Sequence, residues 1–382
     1  MSGTSRNGSA VFAAMISAVS IGFGRFAFTG VYPVMVGDGL LTISQGTFAA
    51  SANYAGYLIG ALLAAKAKPH DSYRLCLWTT AANVFCLAVL ALVRDPWLVI
   101  LIRGLAGMFS ALSLVGVSLW LLQHRGNVRG APLLFSGVGI GIVLSAELLA
   151  AGKWSGLHSP GLWVVLAIGA MVLGGIGVWG MDGRPCEAPT PTARRTPPVS
   201  AQLAAGKLAV VYGLGGFGYI ITATYLPLLI KGSLGSVDPI QIWAAFGLGA
   251  VPSCFFWHAV HVRLGSRPAL LLNMLVQALG VVLPALSPTA SGYLVSALLV
   301  GGTFMGTVTI CMAAARNVAH TVRGNFLAIM TAAYGLGQII GPLVAGSLYA
   351  RSHSFSPSLF AAGGALVIGA VLCAGFPQGR KA

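Results

Sequence analysis

Three ionisable residues, Arg25, Arg103 and Glu147, stand inside stretches that are otherwise apolar, and the chemistry open to them is that of holding charge. Arg25 lies in Gly22-Phe23-Gly24-Arg25-Phe26-Ala27-Phe28-Thr29-Gly30-Val31-Tyr32-Pro33. A guanidinium facing hydrocarbon costs a few kcal/mol or more, so it must meet a cavity, a partner or helix-end carbonyls. The functional reading is an anchor for an anionic group of a solute, or a partner of a protonatable residue. Arg103 and Glu147 form a second constellation. On adjacent antiparallel helices they reach similar depth, about 8 to 9 Å inside one membrane face at about 1.5 Å per residue. They are expected to pair, as a clamp or a gate. Glu147 is the only acid within an apolar stretch, which makes it the leading carrier of any proton coupling. Asn53 and Tyr57 are four apart and share a helical ridge, where they either line a cavity or bond between helices. Tyr219 stands in the later sequence where Arg25 stands in the earlier, and Gln338 is the polar group of the eleventh apolar stretch.

Soluble-type catalytic signatures are absent: there is no H-E-x-x-H and no G-x-S-x-G, and Gly206-Lys207 lacks the rest of a phosphate-binding loop. Neither an enzyme nor a bound cofactor is expected. Cys76, Cys86, Cys186, Cys254, Cys311 and Cys373 have no ligand-like spacing, and His258 with His261 has no third ligand nearby, so no metal site is expected.

The elements that carry these residues follow from composition. Hydrophobic residues make up 57% of the chain and charged ones 8%, against about 25% charged in soluble domains, and the mean hydropathy is +0.86. Twelve stretches approach the ~20 apolar residues that cross a bilayer. They lie near 11–36, 45–65, 75–93, 97–122, 131–152, 161–181, 207–230, 240–261, 269–286, 292–314, 325–350 and 358–376. The expected fold is an all-α membrane protein of twelve transmembrane helices in two pseudo-symmetric six-helix bundles. The N-terminus enters the first stretch with no small-residue cleavage site before Arg25, so that stretch is read as retained. Residues 1–181 form the first bundle, 207–382 the second, and the proline-rich 182–206 a flexible cytoplasmic linker.

The net charge of +15 is explained by orientation. With both termini cytoplasmic, sixteen lysines and arginines fall in inner segments and four in outer ones, with Arg25 and Arg103 inside spans. This is the positive-inside pattern, and no basic run interleaved with aromatics points to nucleic acid. Arg25 then lies roughly 16 Å from the outer end of its span, near the midplane.

The frame around Arg25 returns without its charge. Gly22, Phe23, Gly24 and Pro33 recur 194 positions on as Gly216, Phe217, Gly218 and Pro227, with Tyr219 in the place of Arg25. Leu101 and Gly104 recur as Leu299 and Gly302, and Gly137 and Gly139 as Gly335 and Gly337, both 198 on. Ordered matches at nearly one offset fit a duplication of six spans, as in parallel-repeat transporters. In span 2, Ala52, Gly56, Gly60 and Ala64 form a small-residue face for close helix packing. In span 11, Gly341-Pro342 is expected to bend or loosen the helix.

Three segments carry a resemblance to the major facilitator superfamily, in its YbfB/YjiJ-like bacterial branch. They are Gly24-Arg25-Phe26-Ala27-Phe28-Thr29 with Pro33, Ser51-Ala52-Asn53-Tyr54-Ala55-Gly56-Tyr57, and Tyr334-Gly335-Leu336-Gly337-Gln338 with Gly341-Pro342. Arg103-Gly104 with Gly107 looks like the superfamily's span 4 motif, and Trp257 through Arg263-Leu264-Gly265-Ser266-Arg267 like its inner-loop motif. The resemblance covers the whole chain and implies alternating access. The expected protein is a secondary transporter of a small organic solute in the bacterial inner membrane, acting as a monomer among lipids. Excess of cavity arginines over acids favours an anionic solute. The alternative is a non-transporting membrane sensor or assembly factor that retains the fold.

Overall fold

Apolar stretches joined by short polar connections leave the backbone one way to satisfy its hydrogen bonds in lipid, the helix. A computed structural model describes residues 6–181, 203–231, 238–318 and 325–374, and among them it contains helices and no strands. The helices are α1 (Arg6–Ser17), α2 (Ala27–Gly37), α3 (Ile43–Ala64), α4 (Ser72–Leu90), α5 (Pro96–Leu119), α6 (Ala131–Trp154) and α7 (Ser159–Trp179). They continue as α8 (Ala205–Lys231), α9 (Pro239–Leu264), α10 (Ser266–Leu286), α11 (Ala290–Val318), α12 (Phe326–Ser352) and α13 (Ser356–Ala374). A π-helical segment, Ala18–Phe26, joins α1 and α2 into one rod. Twelve rods result, and eleven of them are long and apolar enough to cross a membrane. The other is α3, 22 residues long with Ser, Thr, Asn and Tyr among its apolar side chains. Most of the expected linker, residues 182–202, lies outside the described residues, as do Arg184, Arg194, Arg195, Cys186, Arg323, Arg380 and Lys381.

Polar residues terminate the rods. Thr42 and Gln45 cap α3 reciprocally, Asp95 accepts from the Trp97 and Leu98 amides at the start of α5, and Asp238 and Asn325 begin α9 and α12. Each such cap contributes about 0.5–2 kcal/mol.

Glycines set which rods meet. A Cβ at Gly56 would sit on the Gly104 carbonyl, one at Gly60 on that of Met108, and one at Gly107 on that of Asn53, so α3 and α5 are in backbone contact. The second bundle repeats this, with Gly301 against the Phe246 carbonyl and Gly249 against Leu298, between α9 and α11. A buried polar pair repeats too. Ser110 donates to Asn83 at 3.1 Å, and Thr307 to Asn273 at 2.6 Å. Between the bundles, α6 packs on α9 through Gly139 and Gly247, and α3 packs on α12.

The packing corrects one expectation. Spans 4 and 5 are not neighbours: α5 packs on α3 and α4, whereas α6 packs on α1, the π segment and α9. Arg103 and Glu147 are therefore carried apart and do not pair. α12 is helical throughout Phe326–Ser352 with Pro342 inside it, and the Pro342 carbonyl accepts from Tyr225 at 3.2 Å. Span 1 carries the nine-residue π-helical segment.

One surface contact ties the first rod to α7. The Asp38 carboxylate accepts from the Ser159 amide at 2.8 Å and hydroxyl at 2.7 Å, and meets His158 at 3.1 Å. Partial burial raises its pKa, but the bonds from Ser159 and His158 outweigh that and hold it below the usual carboxylate value. A depressed folded pKa gives stability that is full above about pH 4 and is lost as pH falls through the folded value. Asp38→Ala is expected to lose about 1–2 kcal/mol at neutral pH and to flatten the acid limb of a Tm-versus-pH curve.

Candidate functional site

All nine residues of the π segment are buried, and its wide turns have local and distant causes. Ser20 donates back to the Ile16 carbonyl at 2.7 Å. Gly22 lies so close to Gly141 of α6 that a Cβ would overlap its backbone, and Gly24 abuts Asn83 and Ser110. At the far end of the segment two carbonyls are taken by Arg103, which donates through Nη1 to Gly24 at 2.9 Å and through Nη2 to Arg25 at 2.8 Å. Its guanidinium also sits 4.6 Å from the Phe28 ring centroid. Asn53 in turn donates to the Arg103 carbonyl at 2.8 Å. Charge-assisted bonds of this kind are about twice as strong as neutral ones. Arg103 and Asn53 thus hold the shape of span 1, and neither lines the cavity described next. π turns inside α-helices recur at functional sites, and this one presents Arg25.

Arg25 faces a cavity of about 260 Å³ between the bundles, shared with Tyr57, Tyr219 and Gln338. The side chain is 5% exposed. Its guanidinium carbon lies 4.4 Å from the Tyr57 ring centroid, 4.8 Å from that of Tyr54 and 5.2 Å from that of Phe26. Three cation–π contacts at about 0.5–2 kcal/mol each offset part of the desolvation. They leave Nε and Nη2 buried and without a hydrogen-bond partner. Gln338 donates to the Tyr219 hydroxyl at 2.6 Å, holding the repeat counterpart of Arg25 across from it.

No carboxylate among the described residues reaches this cation. Asp38 is bound by Ser159 and His158, Asp71 meets His70 at 3.1 Å, Asp95 caps α5, and Asp238 meets Lys153 at 3.1 Å. Glu147 is exposed, on the same stripe of α6 as the exposed Leu144 and Ala151, facing away from the cavity. Its expected place beside Arg103 is thus filled by backbone carbonyls. Glu147→Gln is expected to leave solute flux within about twofold of the parent under an imposed pH gradient, because surface charges couple weakly to distant sites.

Of the seven residues singled out from sequence, the structure brings Arg25, Tyr57, Tyr219 and Gln338 to one cavity and leaves Asn53, Arg103 and Glu147 outside it. Tyr212, Tyr334 and Phe304 line it as well. Two of these carried a signal: Tyr212 is seven before Tyr219 and Tyr334 four before Gln338, each pair on one helix face.

The cavity lining extends toward the end of the bundle where α7 ends, through Ala61, Val115, Met312 and Thr331. The opposite end is closed. Phe26 packs on Phe304 and Trp243, with centroids 6.0 and 6.1 Å away. Thr29 donates to the Ala223 carbonyl at 2.8 Å, Thr47 bonds Tyr225 at 2.7 Å, Tyr54 bonds Thr224 at 3.0 Å, and Lys153 pairs with Asp238. Ala223 is the position 194 after Thr29. Span 1 therefore touches its own repeat counterpart on the pseudo-two-fold axis.

A point mutant of the nucleoside transporter NupG, known from its crystal structure, has the same fold, with a TM-score of 0.67 over 96% of this chain and 99% of that one at 16% identity. No curated protein matches the sequence. The family model described as "Uncharacterised MFS-type transporter YbfB" matches residues 17–374. This is a family of transporters and not of enzymes, and a match over almost the whole length settles membership. The chain belongs to the YbfB-type family of major facilitator transporters.

Proposed function

We propose that the chain is a secondary transporter that carries a small anionic organic solute across the bacterial inner membrane by alternating access, as a single chain with both termini cytoplasmic. The observation that carries this reading is Arg25. A buried cation with two unpartnered nitrogens, in a cavity between two bundles and with no described carboxylate in reach, is a site that an anion completes. The bundles, residues 1–181 and 207–382, would rock about the axis where Thr29 meets Ala223. The basic residues make the linker end cytoplasmic, so this arrangement corresponds to an inward-open state. Turning outward requires the contacts of Thr47 with Tyr225, Tyr54 with Thr224 and Lys153 with Asp238 to part. Proton coupling through Glu147 gains no support from its outward position.

The test locks the closed end. Lys153→Cys with Asp238→Cys, in a background with the native cysteines replaced, is joined by a short thiol-reactive cross-linker that a reductant can cleave. Flux in proteoliposomes should stop on cross-linking and return on cleavage. Full flux from the cross-linked protein would refute alternating access about this closure. A sensor or assembly factor of the same fold would show no flux in either state.

A further inference from the structure

We infer that the solute is a flat aromatic monocarboxylate, seated with its carboxylate on the Nε–Nη2 edge of Arg25 and its ring against the aromatic wall of Tyr334, Tyr219 and Phe304. This rests on the reading of the cavity as the solute path. Charge comes first. Arg25 is the one ionisable residue other than tyrosine that lines the cavity, and Arg103 has both terminal nitrogens committed to the Gly24 and Arg25 carbonyls. A second carboxylate on the solute would therefore be buried without a partner, which is costly. The two free nitrogens, Nε and Nη2, form one edge of the guanidinium. That edge matches the two oxygens of a carboxylate in a bidentate pair.

The body of the solute follows from the wall. Tyr212 and Tyr334 stack with centroids 4.3 Å apart and planes 18° from parallel. Tyr334 and Tyr219 follow at 5.9 Å and 14°, and Tyr219 and Phe304 at 5.1 Å and 15°. Phe304, Phe246 and Trp243 continue the stack toward the closed end, at 5.4 and 4.6 Å. Four nearly parallel rings of this ladder line the cavity; with their faces turned largely to one another, they offer their edges to the face of a planar ring, an edge-to-face arrangement. Hydroxyl-rich solutes fit poorly. Apart from the tyrosine hydroxyls, the polar side chains there besides Arg25 are Gln338, whose amide nitrogen is bound to Tyr219 and whose buried oxygen has no partner, and Thr331. A sugar or nucleoside, with many donors and acceptors, would find one free amide oxygen and a few hydroxyls in place of its water, fewer partners than it gives up. The volume of about 260 Å³ lies below the roughly 300–1,000 Å³ of sites for drug-sized ligands, which limits the solute to one or two rings.

Calorimetric titration of the purified full chain with benzoate, 2-naphthoate, benzamide, cyclohexanecarboxylate, succinate and uridine tests this. The aromatic carboxylates should bind at least about tenfold tighter than benzamide, succinate or uridine, and about three- to tenfold tighter than cyclohexanecarboxylate. Tyr219→Leu should erase the preference for aromatic over alicyclic acid while keeping that for carboxylate over amide. Cyclohexanecarboxylate or succinate binding as tightly as benzoate, with benzamide silent, overturns the aromatic class and leaves the anion reading standing. Benzamide or uridine binding as tightly as benzoate overturns both.

Discussion

Arg25→Met is expected to melt no lower than the parent protein in detergent, and to lose every shift in Tm that anionic solutes produce in the parent. The reason is the balance around the guanidinium. Burial of an unpaired charge costs several kcal/mol, and the stacking on Tyr57, Tyr54 and Phe26 returns about 0.5–2 kcal/mol for each ring. Methionine fills similar space, keeps favourable contact with the rings through its sulfur, and removes the desolvation cost. A structural arginine behaves in the opposite way, since deleting one partner of a satisfied network leaves others orphaned. Arg103 supplies that contrast. Its replacement by methionine strands the carbonyls of Gly24 and Arg25, at about 1–3 kcal/mol for each buried group left unpaired. Differential scanning fluorimetry on both variants reads the two roles directly. A large fall in Tm for Arg25→Met would assign Arg25 a structural role like that of Arg103.

Gly107→Val should have the largest effect on assembly. A Cβ there meets the carbonyl oxygen, carbonyl carbon and Cα of Asn53, and backbone cannot swing aside as a side chain can. Relief requires α3 and α5 to separate, which would break the bond from Asn53 to Arg103 and loosen the π segment. Overpacking of this kind costs about 3 kcal/mol or more. The yield of monodisperse protein after extraction should fall steeply. Gly175 is the control, because nothing lies within 4 Å of a Cβ built on it. Gly175→Ala should be neutral or raise stability by up to about 1 kcal/mol. Equal yields for the two variants would contradict the close approach of α3 and α5.

These cases explain how much was legible in the sequence. Apolar length and charge placement mark every span, and span 2 is readable in spite of its polar side chains because Ala52, Gly56, Gly60 and Ala64 keep a four-residue period. Arg25 is conspicuous because a charge in an apolar run has no local excuse, and its repeat counterpart Tyr219 pointed to the wall opposite. The partner of Arg103 was not legible. Depth along a helix can be counted from sequence, but which rods are neighbours depends on packing, and α5 and α6 are consecutive without packing together. The π segment was hidden for a similar reason. Pro33 and Pro342 both lie within regular helix, whereas Ala18–Phe26 contains no proline and owes its form to Gly141, Asn83, Ser110 and Arg103 on other rods. The aromatic ladder draws its rings from α8, α9, α11 and α12. Only the spacings of Tyr212 with Tyr219 and of Tyr334 with Gln338 hinted at it.

The central claim is that Arg25 binds the anion that crosses the membrane. The most direct measurement is uptake of radiolabelled benzoate into proteoliposomes containing parent protein or Arg25→Gln, with equal insertion checked by protease protection. The account predicts saturable uptake by the parent and a loss of at least about 100-fold in the variant, the equivalent of roughly 2.7 kcal/mol. Uptake by Arg25→Gln at the parent rate would contradict it.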